Sequence, residues 1–211
     1  MTKVLVTGAS GFIGLNFLKL LRSNQINFFA PRSSEVNLCD FSQTHRLIRE
    51  CNPEVIIHLA SQGVKHSDAH NKECNTKNVG MFENLLKSIT PDHTLCVTGS
   101  MAEYGFSGTH KEVDKCFPTT QYGLSKLQIT DLARSYRHSL NFDIRIFRLY
   151  GVYGYGERPE RLFPSVIQAL QNNVPVKLSD CEQERDFVHV DDVCRLLLEL
   201  SKKNIRIDLI L

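Results

Sequence analysis

Residues Thr7–Gly14 read TGASGFIG, and this glycine-rich turn is the strongest indication of the fold class. It follows an apolar segment, residues 3–7, that predicts a buried strand, and it leads into a helix predicted over residues 12–22 from apolar side chains at helical spacing. Such a glycine turn lets the backbone approach a pyrophosphate, while the free N–H groups of the helix N-terminus attract its charge. We therefore predict a dinucleotide site whose contacts are Gly8, Ser10, Gly11, Phe12, Ile13 and Gly14. The GxxGxxG spacing is less common than GxGxxG, and a turn that serves only close packing is the alternative.

Apolar strands alternate with helices along the chain. Strands are predicted at residues 26–30, 55–59, 94–98 and 142–149, and helices at residues 42–51, 75–89 and 122–139. This order predicts an α/β fold, a Rossmann-like doubly wound parallel sheet. Beyond residue 150 we predict helices at residues 162–171 and 191–202, a short strand near Val176 and a strand-like end at residues 205–211 that needs a partner. We assign residues 1–150 to a dinucleotide-binding domain and residues 151–211 to a substrate lobe interleaved with its last elements.

Composition excludes several classes of function. The chain has 211 residues, a net charge of +2 and 42% hydrophobic residues, which suits one globular domain and gives no electrostatic case for a nucleic-acid or membrane partner. Its seven cysteines show no CxxC spacing, so they signal neither zinc nor a disulfide framework, and they fit a reducing, cytoplasmic location. No apolar run approaches the roughly 20 residues of a membrane-spanning helix. The group His66, Asp68 and His70 is interpreted as a solvated loop, so we predict no metal site.

The residues after the second strand select between the two nicotinamide dinucleotides. An acidic residue there would bind the ribose hydroxyls of NAD, whereas an arginine suits the 2′-phosphate of NADP. The chain has Ala30-Pro31-Arg32-Ser33-Ser34, with no acid before Glu35. We therefore predict NADP, with Arg32 and Ser33 as phosphate ligands and NAD as the second choice. A solvated arginine in a surface turn is the alternative.

Three further residues can move a proton. Tyr122 and Lys126 lie four residues apart and so share one face of a predicted helix, where the ammonium is expected to lower the pKa of the phenol. Ser100 follows the strand that begins near residue 94, on the edge where α/β sheets bind ligands. We predict Ser100, Tyr122 and Lys126 as the catalytic residues. An exposed helical Tyr–Lys pair is the alternative.

These motifs together resemble the short-chain dehydrogenase/reductase superfamily, in its extended group of the epimerase/dehydratase type that acts on nucleotide sugars. Thr7–Gly14 matches TGxxGxxG, residues 100–105 (SMAEYG) resemble the segment with the catalytic Ser/Thr, and Tyr122 and Lys126 match YxxxK. Residues 185–192 read RDFVHVDD, which is close to the signature of that group. The resemblance implies a nucleotide-sugar substrate and allows a homodimer through helices that include the one carrying Tyr122.

The resemblance also implies further contacts. It places Asp40 and Phe41 at the adenine, Leu59, Ala60 and Ser61 beside the pyrophosphate and ribose, Asn78 behind the active site, and Lys126 at the nicotinamide ribose. For the substrate it implies Arg185 at the diphosphate, and Arg161 with Leu162 at the nucleotide base.

Several residues depart from the family pattern and bear on the function. Met101 and Ala102 stand where the 4,6-dehydratases carry Asp-Glu, which disfavours elimination of water, and Gly151 replaces an Asn that usually helps to bind the substrate phosphate. The short stretch between Ala30 and Asp40 resembles NADPH-using 4-keto reductases of deoxysugar synthesis. The family usually continues well past RDFVHVDD, so we expect an incomplete, C-terminally truncated substrate lobe. Our hypothesis is an NADP-dependent 4-keto-6-deoxy-sugar reductase; a 4-epimerase with bound NAD and a non-catalytic dinucleotide-binding remnant are the alternatives.

Overall fold

The computed structural model describes residues 3–64, 68–106, 108–176, 178–182, 184–202 and 207–211. Its strands are β1 (Val4–Thr7), β2 (Phe28–Phe29), β3 (Val55–His58), β4 (Thr94–Ser100), β5 (Asp143–Leu149), β6 (Gly151–Tyr153), β7 (Phe187–His189) and β8 (Asp208–Ile210). Its helices are α1 (Phe12–Ser23), α2 (Phe41–Cys51), α3 (Lys72–Ser88), α4 (Gln121–Leu140), α5 (Leu162–Gln171) and α6 (Val190–Lys202). A 3₁₀ turn over Met101–Glu103 follows β4 directly.

Six strands form one parallel sheet in the order β2-β1-β3-β4-β5-β8. The order reverses between β1 and β3, and ligands of open α/β sheets bind at such a reversal, outside the carboxyl ends of the strands. Thr7 pairs with His58 and His58 with Val97, so the ends of β1, β3 and β4 lie side by side at this edge. The predicted α/β doubly wound class is confirmed.

Helices cover both faces of the sheet. The alternation of side chains along each strand sends Val4 and Val6 to the face under α1 and α6, and Leu5 to the face under α2, α3 and α4. The apolar stripes of these helices complete the two cores with Phe17, Leu21, Val193 and Leu197 on one face and Leu47, Phe82, Leu85 and Ile129 on the other. Burial of both faces explains why the strands read as continuous apolar runs.

The segment after β5 has a separate two-stranded sheet in which β6 pairs in parallel with β7. The predicted strand near Val176 is wrong: the described residues around it form no strand, and the segment that finds a partner is Phe187–His189. Close packing explains this choice, because Gly151 donates its N–H to the Asp186 carbonyl at 3.1 Å and a Cβ at Gly151 would lie 2.7 Å from the Phe187 ring.

The apolar end of the chain pairs with β5 through the register Ile146↔Asp208. Asp208 also accepts hydrogen bonds from Arg134 and Arg137 of α4, each at 2.8 Å. Burial opposes the charged form of this carboxylate, but the two guanidinium groups outweigh burial and hold the pKa of Asp208 below its usual value. The strand-like end therefore has both a sheet partner and an ion-pair anchor.

Candidate active site

The turn between β1 and α1 is closed by contacts that only glycine allows. Gly8 has φ +68°, and a Cβ there would lie 2.4 Å from the backbone nitrogen of Ala60. A Cβ at Gly14 would lie 2.4 Å from the Gly8 carbonyl oxygen. These glycines bring the turn against the end of β3, so the predicted contacts Gly8, Leu59 and Ala60 come together.

The N-terminus of α1 remains available to an anion. Gly11 is the N-cap, it is exposed, and no side chain caps the helix. The free N–H groups of the first turn and the positive end of the helix dipole are therefore open at the edge where β1 and β3 end. Because the glycine contacts hold the backbone in this cradle, the residues present fit a dinucleotide pyrophosphate.

The residues after β2 form an exposed turn. The Glu35 carboxylate accepts a hydrogen bond from the backbone N–H of Arg32 at 2.7 Å, so this acid belongs to the turn itself. Arg32 and Ser33 are both exposed, and among the described residues no carboxylate pairs with the Arg32 guanidinium within ion-pair distance. The Arg32 guanidinium is therefore available to bind an anion from solution.

The predicted adenine contacts lie at the start of α2. Asp40 is the N-cap of that helix and accepts a hydrogen bond from the Gln43 N–H at 3.0 Å, which lowers the pKa of its carboxyl. The exposed ring of Phe41 stacks on His45, with ring centroids 5.5 Å apart. Asp40 therefore uses its side chain to begin a helix, and Phe41 offers an aromatic face at the surface.

Ser100 is the last residue of β4 and is buried. Its hydroxyl accepts a hydrogen bond from the Ala102 N–H at 3.2 Å, and its own N–H donates to Glu103 at 2.8 Å. This capping box turns the chain sharply after the strand and fixes the Ser100 hydroxyl at the sheet edge.

Tyr122 is in the first turn of α4, and the side chains of Ser100 and Ser61 lie near its hydroxyl and favour its charged form. Burial, together with the Glu103 charge, raises the pKa of Tyr122 to about 12, although Ser100, Ser61 and the Arg161 guanidinium oppose the rise. The expected lowering of this pKa by Lys126 is therefore wrong, because burial outweighs the neighbouring groups that favour the phenolate. Tyr122 carries its proton throughout the neutral range.

Lys126 lies one helical turn below Tyr122 and is 3% exposed. Its Nζ donates to the Thr98 carbonyl at 2.8 Å and stands 5.8 Å from the centroid of the Tyr122 ring. Burial lowers the pKa of Lys126 to about 8, against the opposing charge of Glu103. The structure thus brings Ser100, Tyr122 and Lys126 together at the carboxyl end of β4.

Two buried polar side chains support this arrangement from β3 and α3. His58 is hydrogen-bonded to Thr7 at 2.7 Å through Nδ1, and burial, with the charge of Lys126, lowers its pKa to about 3. Asn78 donates to the Ser125 hydroxyl at 3.1 Å and holds both backbone groups of Gln62. Asn78 thereby anchors the loop after β3 to the helix that carries Tyr122.

The predicted substrate residues differ in how close they lie to the other site residues. Arg161 is the N-cap of α5, its charge acts on Tyr122, and its Nε lies 3.4 Å from the Glu157 carboxylate. Leu162 begins α5 with 47% of its surface exposed. Arg185 is exposed just before β7, and no described contact ties it to the other site residues.

The sequence did not predict the roles of two residues at this site. Ser61 was predicted only as a cofactor contact, but it is also a partner of the Tyr122 hydroxyl. Glu103 was given no role, although its carboxylate binds the backbone of Ser100. A capping pattern, Ser100 followed by Glu103, was the available signal for the second residue.

Within the described part of the chain, no three His, Cys, Asp or Glu side chains are grouped as metal ligands would be. His66, one member of the histidine group considered above, lies outside the described residues. No helix in the described ranges is long and apolar enough to cross a membrane.

A parallel sheet with a glycine cradle at its reversal point, next to Ser100, Tyr122 and Lys126, is typical of doubly wound α/β folds with a dinucleotide-binding turn. The NAD dependent epimerase/dehydratase family matches residues 4–207, and the chain belongs to that family.

Two curated relatives illustrate the range of activities in this family. The chain is 27% identical to a probable UDP-glucuronate 4-epimerase of Rhizobium meliloti, over 94% of this chain and 68% of the relative. It is also 27% identical to the GDP-6-deoxy-D-talose 4-dehydrogenase of Aggregatibacter actinomycetemcomitans, over 95% of this chain and 70% of the relative.

Solved structures agree with the fold. The Thermotoga maritima UDP-glucose 4-epimerase with UDP-glucose superposes with a TM-score of 0.86 at 19% identity, covering 100% of this chain and 76% of that one. MoeE5 in complex with UDP-glucose and NAD gives a TM-score of 0.78 at 27% identity, covering 99% of this chain and 75% of that one.

Proposed function

We propose that this chain is an NADP-dependent nucleotide-sugar oxidoreductase that reduces a 4-keto-6-deoxy sugar. The observation that carries the proposal is a protonated Tyr122, placed beside Ser100 and followed one turn later by buried Lys126, at the edge that carries the glycine cradle. Reduction of a ketone needs a proton donor beside the carbonyl, and this tyrosine holds its proton at neutral pH.

The cradle residues Gly8, Gly11 and Gly14 would hold the dinucleotide pyrophosphate, and Lys126 the nicotinamide ribose. When bound, the dinucleotide supplies the hydride. Arg32 and Ser33 would bind the 2′-phosphate of NADP, which is supported by an exposed guanidinium that has no carboxylate partner among the described residues. Residues 1–150 would form this half of the protein and residues 151–211 the substrate side.

The chain's own groups account for the proton chemistry. Tyr122 would donate its proton to the oxygen of the substrate carbonyl, while the Ser100 hydroxyl orients that oxygen and stabilises its developing charge. The Lys126 ammonium, one turn away, would favour the phenolate left on Tyr122. Arg161 and Leu162, at the start of α5, and Arg185 would contact the nucleotide of the substrate.

Met101 and Ala102 favour reduction over dehydration. Both follow Ser100 in the 3₁₀ turn, and neither side chain can act as an acid or a base. The relation to a 4-dehydrogenase of a GDP-6-deoxy sugar supports the same class of substrate.

A 4-epimerase that retains NAD is the second candidate. The relation to a UDP-glucuronate 4-epimerase favours it, and it would use the same Ser100, Tyr122 and Lys126. The two candidates differ in net consumption of cofactor. A reductase oxidises one NADPH for each sugar, whereas an epimerase returns the hydride to the same sugar.

The test is to mix the purified chain with NADPH and 4-keto-6-deoxy sugars linked to UDP, GDP, CDP and dTDP. We expect loss of absorbance at 340 nm with one of them, abolished in Tyr122→Phe and retained in Tyr155→Phe, a control in an exposed tyrosine. No loss with any sugar would overturn the reductase assignment. Tightly bound NAD with sugar interconversion, and no net oxidation, would establish the epimerase instead.

Cofactor choice is tested with Arg32→Ala. We expect weaker binding of NADPH and little change for NADH, because only NADPH carries the 2′-phosphate that the guanidinium would bind. Fluorescence titration of both dinucleotides measures this, with Arg49→Ala, at an exposed position of α2, as the control. Equal effects on the two dinucleotides would argue against NADP specificity.

A further inference from the structure

Glu103 is a fully buried carboxylate at the end of the turn that follows Ser100. Its Oε1 accepts from the Ser100 N–H at 2.8 Å. Its Oε2 accepts from Arg148 Nε at 2.8 Å and from the Thr130 hydroxyl at 3.0 Å. Donors from β4, β5 and α4 thus hold the carboxylate in one place.

The strand makes room for this carboxylate at Gly99. A Cβ at Gly99 would lie 2.4 Å from Glu103 Oε1 and 3.0 Å from Arg148 Cγ. Burying the Glu103–Arg148 pair costs solvation free energy that a well-packed apolar pair would avoid. The arrangement therefore places a charge next to the site at the expense of simple packing.

That charge lies near the buried ammonium of Lys126, because both groups bind the end of β4: Glu103 accepts from the Ser100 N–H, and Lys126 donates to the Thr98 carbonyl two residues earlier at 2.8 Å. Three ionisable side chains act on or contact Lys126 from the surrounding elements, namely His58 of β3, Tyr122 of α4 and Glu103. His58 is neutral, because its pKa lies near 3, and Tyr122 is protonated. Arg148 of β5 lies behind Glu103 and is its ion-pair partner. Glu103 is therefore the negative charge that these groups present to Lys126.

We propose that Glu103 is a positioning residue, which fixes the backbone of Ser100 and keeps Lys126 charged inside a buried site. Its relevance to turnover rests on the proposed function, because Ser100 and Lys126 are catalytic only there. Burial lowers the pKa of Lys126 to about 8, close to neutral pH, and the charge of Glu103 limits that fall. Without it, a larger share of Lys126 would be neutral at neutral pH.

The direct test is the titration of Lys126 in the full chain, followed by NMR of ¹³C-labelled lysine side chains without any ligand. Lys126→Met assigns the signal. In Glu103→Gln we expect the titration of Lys126 to move to lower pH, since the amide keeps the shape and loses the charge. Glu73→Gln, which neutralises an exposed carboxylate 2.6 Å from Lys77, should leave Lys126 unchanged. An unchanged Lys126 titration in folded Glu103→Gln would overturn the proposal.

Glu103→Gln leaves Arg148 buried without a counter-charge and can therefore fail to fold. A second variant covers that case. Glu103→Gln with Arg148→Met removes both charges. A downward shift is again expected, since Glu103 acts on Lys126, but a smaller one than in Glu103→Gln because the Arg148 cation is removed as well. A wild-type titration in this double variant would equally overturn the proposal.

The backbone role is read from hydrogen exchange of the Ser100 amide. Exchange should accelerate in Glu103→Ala with Arg148→Met, which removes the acceptor, and should stay slow in the Gln double variant, which keeps it. Equal protection in the two would show that Glu103 does not fix Ser100. Neither measurement uses dinucleotide or sugar. Failure of the chain to turn over any substrate would therefore count against the proposed function alone. The titration and exchange results would still decide the role of Glu103.

Discussion

At the scale of single residues, spacing along the sequence predicts which side chains lie together, whereas burial in the folded protein sets their pKa values. The four-residue spacing of Tyr122 and Lys126 predicts their shared helix face, and the strand end predicts Ser100 beside them; the structure brings the three together. The direction of the Tyr122 pKa shift could not be predicted this way, because it depends on how deeply the phenol is buried. Ser61 was missed as its partner because 61 residues of chain separate the two.

A neutral, buried His58 predicts acid sensitivity. Its pKa of about 3 lies below the 6.5 of an unfolded chain, so its contribution to stability is present above pH 6.5 and is lost as the pH falls toward 3. At pH 5 the loss is about 2 kcal/mol relative to neutral pH. Urea unfolding at pH 5 and 7 should show a smaller drop in His58→Gln than in the wild type. The exposed control His70→Gln should keep the full drop, and an equal drop in His58→Gln would contradict this account.

At the scale of elements, type and order were predicted better than ends. The helix predicted from Asn75 begins at Lys72, because the Asn71 side chain caps it by accepting from the Glu73 N–H at 2.9 Å. The strand predicted over residues 26–30 shrinks to Phe28–Phe29, an edge strand with a single neighbour. The strand β7 was missed because only the close contact of Gly151 with Phe187 selects it.

Glycine at two helical positions has opposite consequences. Gly14→Ala should cost about 1–3 kcal/mol, because its Cβ would lie 2.4 Å from the Gly8 carbonyl oxygen and push α1 away from the turn. A Cβ at Gly80 in α3 would have no atom within 4 Å, so Gly80→Ala should increase the free energy of unfolding by about 0.5–1 kcal/mol through helix propensity. Urea unfolding of both variants checks this, and NADPH titration should show weaker binding only in Gly14→Ala. Equal stability of the two would mean that the turn is not tightly packed against α1.

At the scale of the whole molecule, the sheet is completed by the last described residues. β8 adjoins β5, and Asp208 ties it to Arg134 and Arg137 of α4. The sequence predicted that this apolar end needs a partner, but it did not identify β5, because pairing between distant strands depends on how the helices place them. An unpaired strand edge is also a site for association with other chains.

Asp208→Asn should therefore loosen the sheet edge. The charged hydrogen bonds to the two arginines are lost, which we expect to cost about 2 kcal/mol in urea unfolding at pH 7. The Asp208 pKa lies below its unfolded value, so the wild-type advantage is present at neutral pH and should disappear as the pH falls through that lowered pKa. Glu73→Gln, in an exposed pair with Lys77, should stay close to wild type. A neutral effect of Asp208→Asn would show that β8 is held by strand pairing alone.

Local patterns were enough for the parallel α/β class, the glycine turn and the Tyr–Lys pair, because apolar periodicity, turn glycines and helical spacing act over a few residues. The comparisons confirm the family, while the choice between reductase and epimerase is a proposal. Tertiary structure alone decided the partners of Tyr122, the protonation of Lys126 and His58, and the Glu103–Arg148 pair. Those properties follow from burial and from distances between residues far apart in the chain, and both exist only once the strands and helices have packed.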